Sequence, residues 1–130
     1  MFNNKIDKNI IDLLNLISSS RFNTYLVGGC VRDIILGYTP KDLDVLVEDD
    51  IDEFSIFLST SLNSKIIRFQ NHGFETFRII NTKSKLNIDI TKYSNGNDGF
   101  LNDLSMRDFT INSMAISLND GQFDFNDIVD

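Results

Sequence analysis

YLVGGCVRDIILGYTPKDLDVLVE, residues 25–48, is the stretch whose reading decides the fold. Tyr25-Leu26-Val27 is a short apolar run of the kind that forms a buried strand. Gly28-Gly29 follow, and then a helical pattern from Cys30 to Leu36 that Gly37 ends. After a turn at Tyr38-Thr39-Pro40 the pattern predicts a second strand over 43–47, with Asp42 and Asp44 at its leading end. A glycine pair lets backbone come close to a ligand, and a helix N-terminus offers free N–H groups to anions. Two carboxylates two residues apart on a strand point to one face, about 6–7 Å apart. That spacing suits joint binding of divalent cations, the usual clamp for in-line displacement at phosphorus. Asp-rich turns are often merely solvated. Here, however, the two acids lead directly into the apolar Val45-Leu46-Val47, a placement that favours metal ligation. Arg32, early in the helix, is placed either to hold a triphosphate bound at the helix start or to pair with Asp42 or Asp44. Asp33 is expected to brace the loop rather than bind metal.

Composition narrows the classes. The chain has 130 residues, 42% of them hydrophobic and 11 of them Phe, enough for one domain with a true core. A single Cys excludes an internal disulfide, and with one His there is no Cys/His metal cluster. No apolar run approaches a membrane span and the N-terminus lacks a signal-peptide core, so a cytoplasmic protein without membrane partners is expected. The formal net charge of −7 argues against this domain gripping nucleic acid by itself, since Lys and Arg contacts to phosphate dominate such affinity.

Outward from the central stretch, Ile6, Ile10, Leu13, Leu14 and Ile17 recur at helical spacing, predicting a helix over 6–18 packed on the sheet. Phe54, Phe57, Leu58 and Leu62 predict a second amphipathic helix over 51–62, capped by Asp50 or Asp52. Residues 65–69 are expected as a short strand. His72 lies in the turn Asn71-His72-Gly73, a loop residue rather than a base. Residues 74–80 and 86–91 are expected as a hairpin joined around Asn81-Thr82-Lys83-Ser84. In its second strand Leu86, Ile88 and Ile90 alternate with Asn87, Asp89 and Thr91, which puts Asp89 on the polar face. Residues 93–103 are rich in Gly and Asn and read as a loop. Ser105 is spaced to cap a turn or helix that contains Arg107-Asp108. That element runs into a strand over 115–118, and Gly121 turns the chain toward another over 122–125.

Two anchors carry a family resemblance. Leu26-Val27-Gly28-Gly29-Cys30-Val31-Arg32-Asp33, followed by Asp42-Leu43-Asp44, is similar to the LVGGxVRDxLLG…DxD signature. That signature belongs to the head domain of tRNA nucleotidyltransferases (CCA-adding enzymes) and bacterial poly(A) polymerases, within the polymerase-β-like nucleotidyltransferases. Arg107-Asp108-Phe109-Thr110-Ile111-Asn112-Ser113-Met114-Ala115 resembles the RRDFTINAMA signature of the same family. The anchors come in the family's order and span residues 26–115, most of the chain.

The resemblance implies an α+β fold, a mixed sheet of about five strands with helices mostly on one face. It implies metal-dependent nucleotidyl transfer from ATP or CTP to an RNA 3′-hydroxyl, with Mg²⁺ held by Asp42 and Asp44. Gly28, Gly29, Arg32, Arg107, Asp108 and Asn112 fall in its nucleotide-binding set, with Arg107 carrying the arginine contact to the nucleotide. For Asn112 a buried, hydrogen-bonded structural role is an equal alternative. Such folds usually add a third carboxylate on a neighbouring strand, to accept the hydroxyl's proton or complete the metal site. Asp89 is the candidate, the alternative being an ordinary solvent-facing strand residue.

The chain also departs from the family. Met106 replaces the first Arg of the RRD pair, and Lys92-Tyr93 stand where an Arg and an acidic residue are usual. The 93–103 loop is short and poor in basic residues, and the segment 123–130 only loosely resembles DPxxGxxDL. A neck, body and tail follow the head in the family and are expected to hold tRNA and choose the base. Residues 1–130 are thus expected to act as a head alone, with weak or unselective transfer. Other readings are a poly(A) polymerase head, one part of a split enzyme with a partner subunit, and a non-catalytic nucleotide-binding module.

Overall fold

The computed structural model describes residues 7–48, 50–71, 74–92 and 115–118. Their elements run α1 (Lys8–Ser18), β1 (Thr24–Val27), α2 (Gly29–Ile35), β2 (Asp42–Val47), α3 (Ile51–Leu62), β3 (Lys65–Asn71), β4 (Phe74–Asn81), β5 (Leu86–Lys92) and β6 (Ala115–Ser117). The strands form one sheet in the order β3-β4-β5-β2-β1-β6. Six strands stand where about five were expected. Only β2 and β5 run parallel, and every other neighbouring pair is antiparallel.

Local chemistry sets the helix ends. Asp7 accepts from the Asn9 backbone N–H at 2.7 Å to start α1. Of the two acids considered for α3, Asp50 is the cap, accepting from the backbone N–H groups of Asp52 and Glu53 at 2.9 and 3.1 Å. Asp52 and Glu53 then place negative charge at the positive end of the helix. Asn63, at φ 50, closes α3 in the left-handed conformation that Asn tolerates better than most residues. In the β4–β5 turn the Asn81 side chain accepts from the backbone N–H groups of Lys83 and Ser84, both at 3.0 Å, a local device that pins the hairpin register.

Because strand side chains alternate, each strand of the central sheet divides its residues between two faces. One face is apolar and carries the helices. Leu43, Val45 and Val47 of β2 pack there with Ile88 and Ile90 of β5, Ile79 of β4 and Leu26 of β1. Ile10, Leu13, Leu14 and Ile17 of α1, Val31 and Ile34 of α2, and Phe54 and Leu58 of α3 close over them. Phe22 meets Phe54 edge to face, with ring centroids 5.1 Å apart. Among the described residues the opposite face has a small apolar cluster, Val27, Leu46 and Ala115, with Tyr25 packed against it. Beside that cluster lie the polar residues of β2, β4 and β5. Among the described residues no helix is long and apolar enough to cross a membrane.

Candidate active site on the polar face of the sheet

The lateral registers assemble the acidic residues. β2 and β5 run parallel with Asp42 opposite Asn87 and Asp44 opposite Asp89. Directly paired residues share a face, so Asp42, Asp44 and Asp89 all project from the side away from the helices. Asp42 is exposed, Asp44 half-buried and Asp89 buried. Asn87 donates its side-chain N–H to Asp42 at 3.2 Å. Asp89 is therefore not the ordinary solvent-facing strand residue that alternation alone allowed.

β1 brings the glycine bend to the same place. It runs antiparallel to β2 with Val27 opposite Asp44, so the chain leaves β1 beside the acidic end of β2. Gly28 there has φ 83 and ψ −159, a conformation essentially reserved for glycine. It turns the chain at once into α2. Cys30 in the first turn of α2 donates to the Val27 carbonyl at 3.1 Å. Burial pushes its thiol up to about 12, against the opposing pull of the Asp44 backbone N–H. Cys30 is thus an inert packing residue that ties α2 to the strand carrying the two acids.

Arg32 meets a carboxylate on its own helix. Its Nε and Nη2 donate to Asp33 Oδ1 at 3.3 and 3.1 Å, so the bracing expected of Asp33 is directed at its neighbour. Adjacent helical residues diverge, and a long Arg side chain must fold back to make this pair. Arg107, Asp108 and Asn112 lie outside the described residues. So does the 93–103 loop.

Arg78 is the residue that the sequence reading missed. β4 pairs with β5 so that Arg78 stands opposite Asp89. Its Nε donates to Asp89 Oδ1 at 2.7 Å and its Nη2 to Oδ2 at 2.9 Å, a two-pronged contact that occupies both oxygens. The guanidinium also lies over the Phe69 ring, 5.1 Å from its centroid. The Asp89 hydrogen bond holds Arg78 still more firmly in its charged form, and the charges of Asp42 and Asp44 act in the same direction. Two residues along, on the same face, Thr76 and Thr91 share a buried hydroxyl contact at 3.2 Å. Counting outward from the Asn81–Ser84 turn would have found the pair, since Asn81 opposite Leu86 places Arg78 opposite Asp89.

The donor set suits a hard cation. Carboxylate oxygens are what Mg²⁺ prefers, and it is usually held by one or two carboxylates together with substrate phosphates. Asp42 and Asp44 supply that number. Among the described residues no three His, Cys, Asp or Glu side chains come together closely enough to hold an ion by themselves.

Comparison with known proteins shows the family to which the chain belongs. The family described as the poly A polymerase head domain matches residues 24–130. The CC-adding tRNA nucleotidyltransferase of Halalkalibacterium halodurans is 32% identical over 109 residues, which cover 82% of this chain and 26% of that protein. Poly(A) polymerase I of Salmonella typhi is 32% identical over 133 residues, covering 88% of this chain and 28% of its own length. Among solved structures, the Thermotoga maritima CCA-adding enzyme complexed with tRNA superposes with a TM-score of 0.75 at 32% identity, over 91% of this chain and 28% of that one. A CCA-adding enzyme in complex with ATP gives 0.75 at 31% identity, over 94% of this chain and 30% of the other. These relatives are nucleotidyltransferases, and the chain spans under a third of each. By the head-domain match and by the fold it shares with those enzymes, this chain belongs to the poly(A) polymerase head-domain family of polymerase-β-like nucleotidyltransferases.

Proposed function

We propose that the chain is the catalytic head of an enzyme that transfers a nucleotide from ATP or CTP to the 3′-hydroxyl of an RNA, with tRNA as the RNA. The observation that carries this reading is the position of Asp42 and Asp44, on the sheet face opposite the helices and beside the Gly28 bend. Asp42 and Asp44 hold Mg²⁺ through their carboxylate oxygens. When bound, the ion offsets the triphosphate's charge and makes the attacking hydroxyl more acidic. Gly28 and Gly29 let the backbone come close to the triphosphate, and Arg32 and Arg107 bind its oxygens. Asp89 accepts the proton of the attacking hydroxyl: with both oxygens held by Arg78, lone pairs remain for a further bond. Asp108 and Asn112 complete the nucleotide contacts. Little acid–base chemistry is needed, because phosphoryl-type transfer is dominated by positioning and charge. The acidic net charge fits a head that leaves most of the RNA grip to other surfaces, whether on a continuation of the chain or on a partner subunit.

The 32% identity shared with both a CC-adding enzyme and a poly(A) polymerase supports a second reading, a poly(A) polymerase head. Incubation with labelled ATP or CTP, Mg²⁺ and a tRNA lacking its CCA end separates the two. CMP and AMP joined to that tRNA end is the expected result. AMP tails on any RNA 3′ end, without CMP, would favour the poly(A) reading. No metal-dependent incorporation onto any RNA would contradict both and leave a nucleotide-binding module.

A further inference from the structure

The parallel register sets Asp44 and Asp89 side by side, yet the described acids form no three-carboxylate cluster that could hold an ion. The neighbouring strand supplies Asp89 with a different partner. Both Asp89 oxygens are taken by the Arg78 fork, at 2.7 and 2.9 Å, with the Asp89 side chain 11% exposed and that of Arg78 38%. Phe69 supports the guanidinium from its other side. Held this way, Arg78 puts a fixed positive charge on the face where a divalent cation is to sit, and it withholds the third carboxylate from that cation.

We propose that Arg78 is a positioning residue that keeps Asp89 out of the metal's ligand set, so that a free divalent ion binds weakly and enters chiefly together with the nucleotide's phosphates. This rests on the reading of Asp42 and Asp44 as metal ligands. A site of two carboxylates is incomplete for Mg²⁺, and a triphosphate brings the missing oxygens. A site of three carboxylates with no counter-charge would instead capture the bare ion. Arg78 thereby couples the arrival of metal to the arrival of substrate.

The test is Mn²⁺ binding without nucleotide, measured by titration calorimetry, with chemical denaturation run alongside to confirm folding. Arg78→Gln is expected to bind Mn²⁺ roughly tenfold tighter or more than the natural protein, since a nearby positive charge is removed and a carboxylate released. Arg78→Lys keeps the charge and should stay within about threefold of the natural protein. The double variant Arg78→Gln with Asp89→Asn removes the pair without changing net charge and leaves no unpaired buried acid. Its affinity should return to within about threefold of the natural value. If Arg78→Gln alone folds poorly the double variant still decides, because Mn²⁺ binding there more than about threefold from the natural value would overturn the proposal. Unchanged or weaker binding in folded Arg78→Gln would overturn it, as would tight binding persisting in the double variant. Asp42→Ala in each background separates the two claims. Tightened binding that survives Asp42→Ala overturns the metal-site reading as well, whereas no Mn²⁺ binding by any of these proteins overturns the Arg78 proposal alone. Binding lost with Asp42→Ala but insensitive to Arg78 overturns the Arg78 proposal alone.

Discussion

Replacing Asp42 and Asp44 together by Ala is expected to lower metal-dependent nucleotidyl transfer by at least about 10³-fold, because charge stabilisation at the transferring phosphate is the largest contribution such a site makes. The fold should survive the change. Asp42 is exposed and Asp44 half-buried, and both project from the face opposite the main core. They share that face with Asp89, so removing them relieves repulsion between like charges. Surface changes of this kind usually alter stability by only about 0.5 kcal/mol. Steady-state incorporation of labelled AMP, read beside a thermal melt, checks both halves. A variant with activity within tenfold of the natural protein would contradict the assignment, and so would one whose lost activity is matched by a lost fold. The isosteric pair Asp42→Asn with Asp44→Asn should lose as much, since shape is kept and only the anionic oxygens go.

Gly28→Ala is expected to cost about 1–3 kcal/mol of stability and on the order of 10²-fold in kcat/KM, through backbone strain and a displaced helix start. Gly28 is buried at φ 83 and ψ −159, where a Cβ is not accommodated. The strain can be relieved only by moving the entry of α2, which Cys30 couples to β2 at Asp44. Gly37 offers the control. It too has positive φ, at 88, but it is exposed at the far end of α2. Gly37→Ala should lose roughly 1 kcal/mol, as expected for a side chain forced into a left-handed turn, while nucleotide affinity stays near its natural value. Denaturant unfolding together with nucleotide titration distinguishes the two. Equal loss of affinity in both variants would show that Gly28 matters to the fold and not to the site.

Local elements were legible in the chain because each carries its own periodicity and punctuation. The α3 range, the hairpin about Asn81 and the Asp-x-Asp strand follow from spacing, caps and turn residues within a few positions. The pairing of β2 with β5 was not legible. Those strands are separated by α3, β3 and β4, and no short-range signal says which strands lie side by side. The roles of Asp89 and Arg78 depend on that lateral order. Alternation put Asp89 on the polar face and the hairpin register could have paired it with Arg78, but its burial arises from neighbouring strands. For Arg32 the sequence did not show the contact with its neighbour Asp33, which needs the long side chain to fold back along the helix. The second family anchor, around Arg107 and Asn112, enters the described structure only through Ala115, which packs with Val27 and Leu46 beside the acids.

The central claim, that Asp42 and Asp44 jointly bind a divalent cation together with a nucleotide's phosphates, is tested most directly by anomalous scattering. Crystals grown with Mn²⁺ and a non-hydrolysable ATP analogue should show an anomalous peak within about 2.5 Å of carboxylate oxygens from both Asp42 and Asp44, shared with the nucleotide's phosphate oxygens. An ordered nucleotide with no manganese between those two side chains, or with the ion held by other residues, would contradict the account.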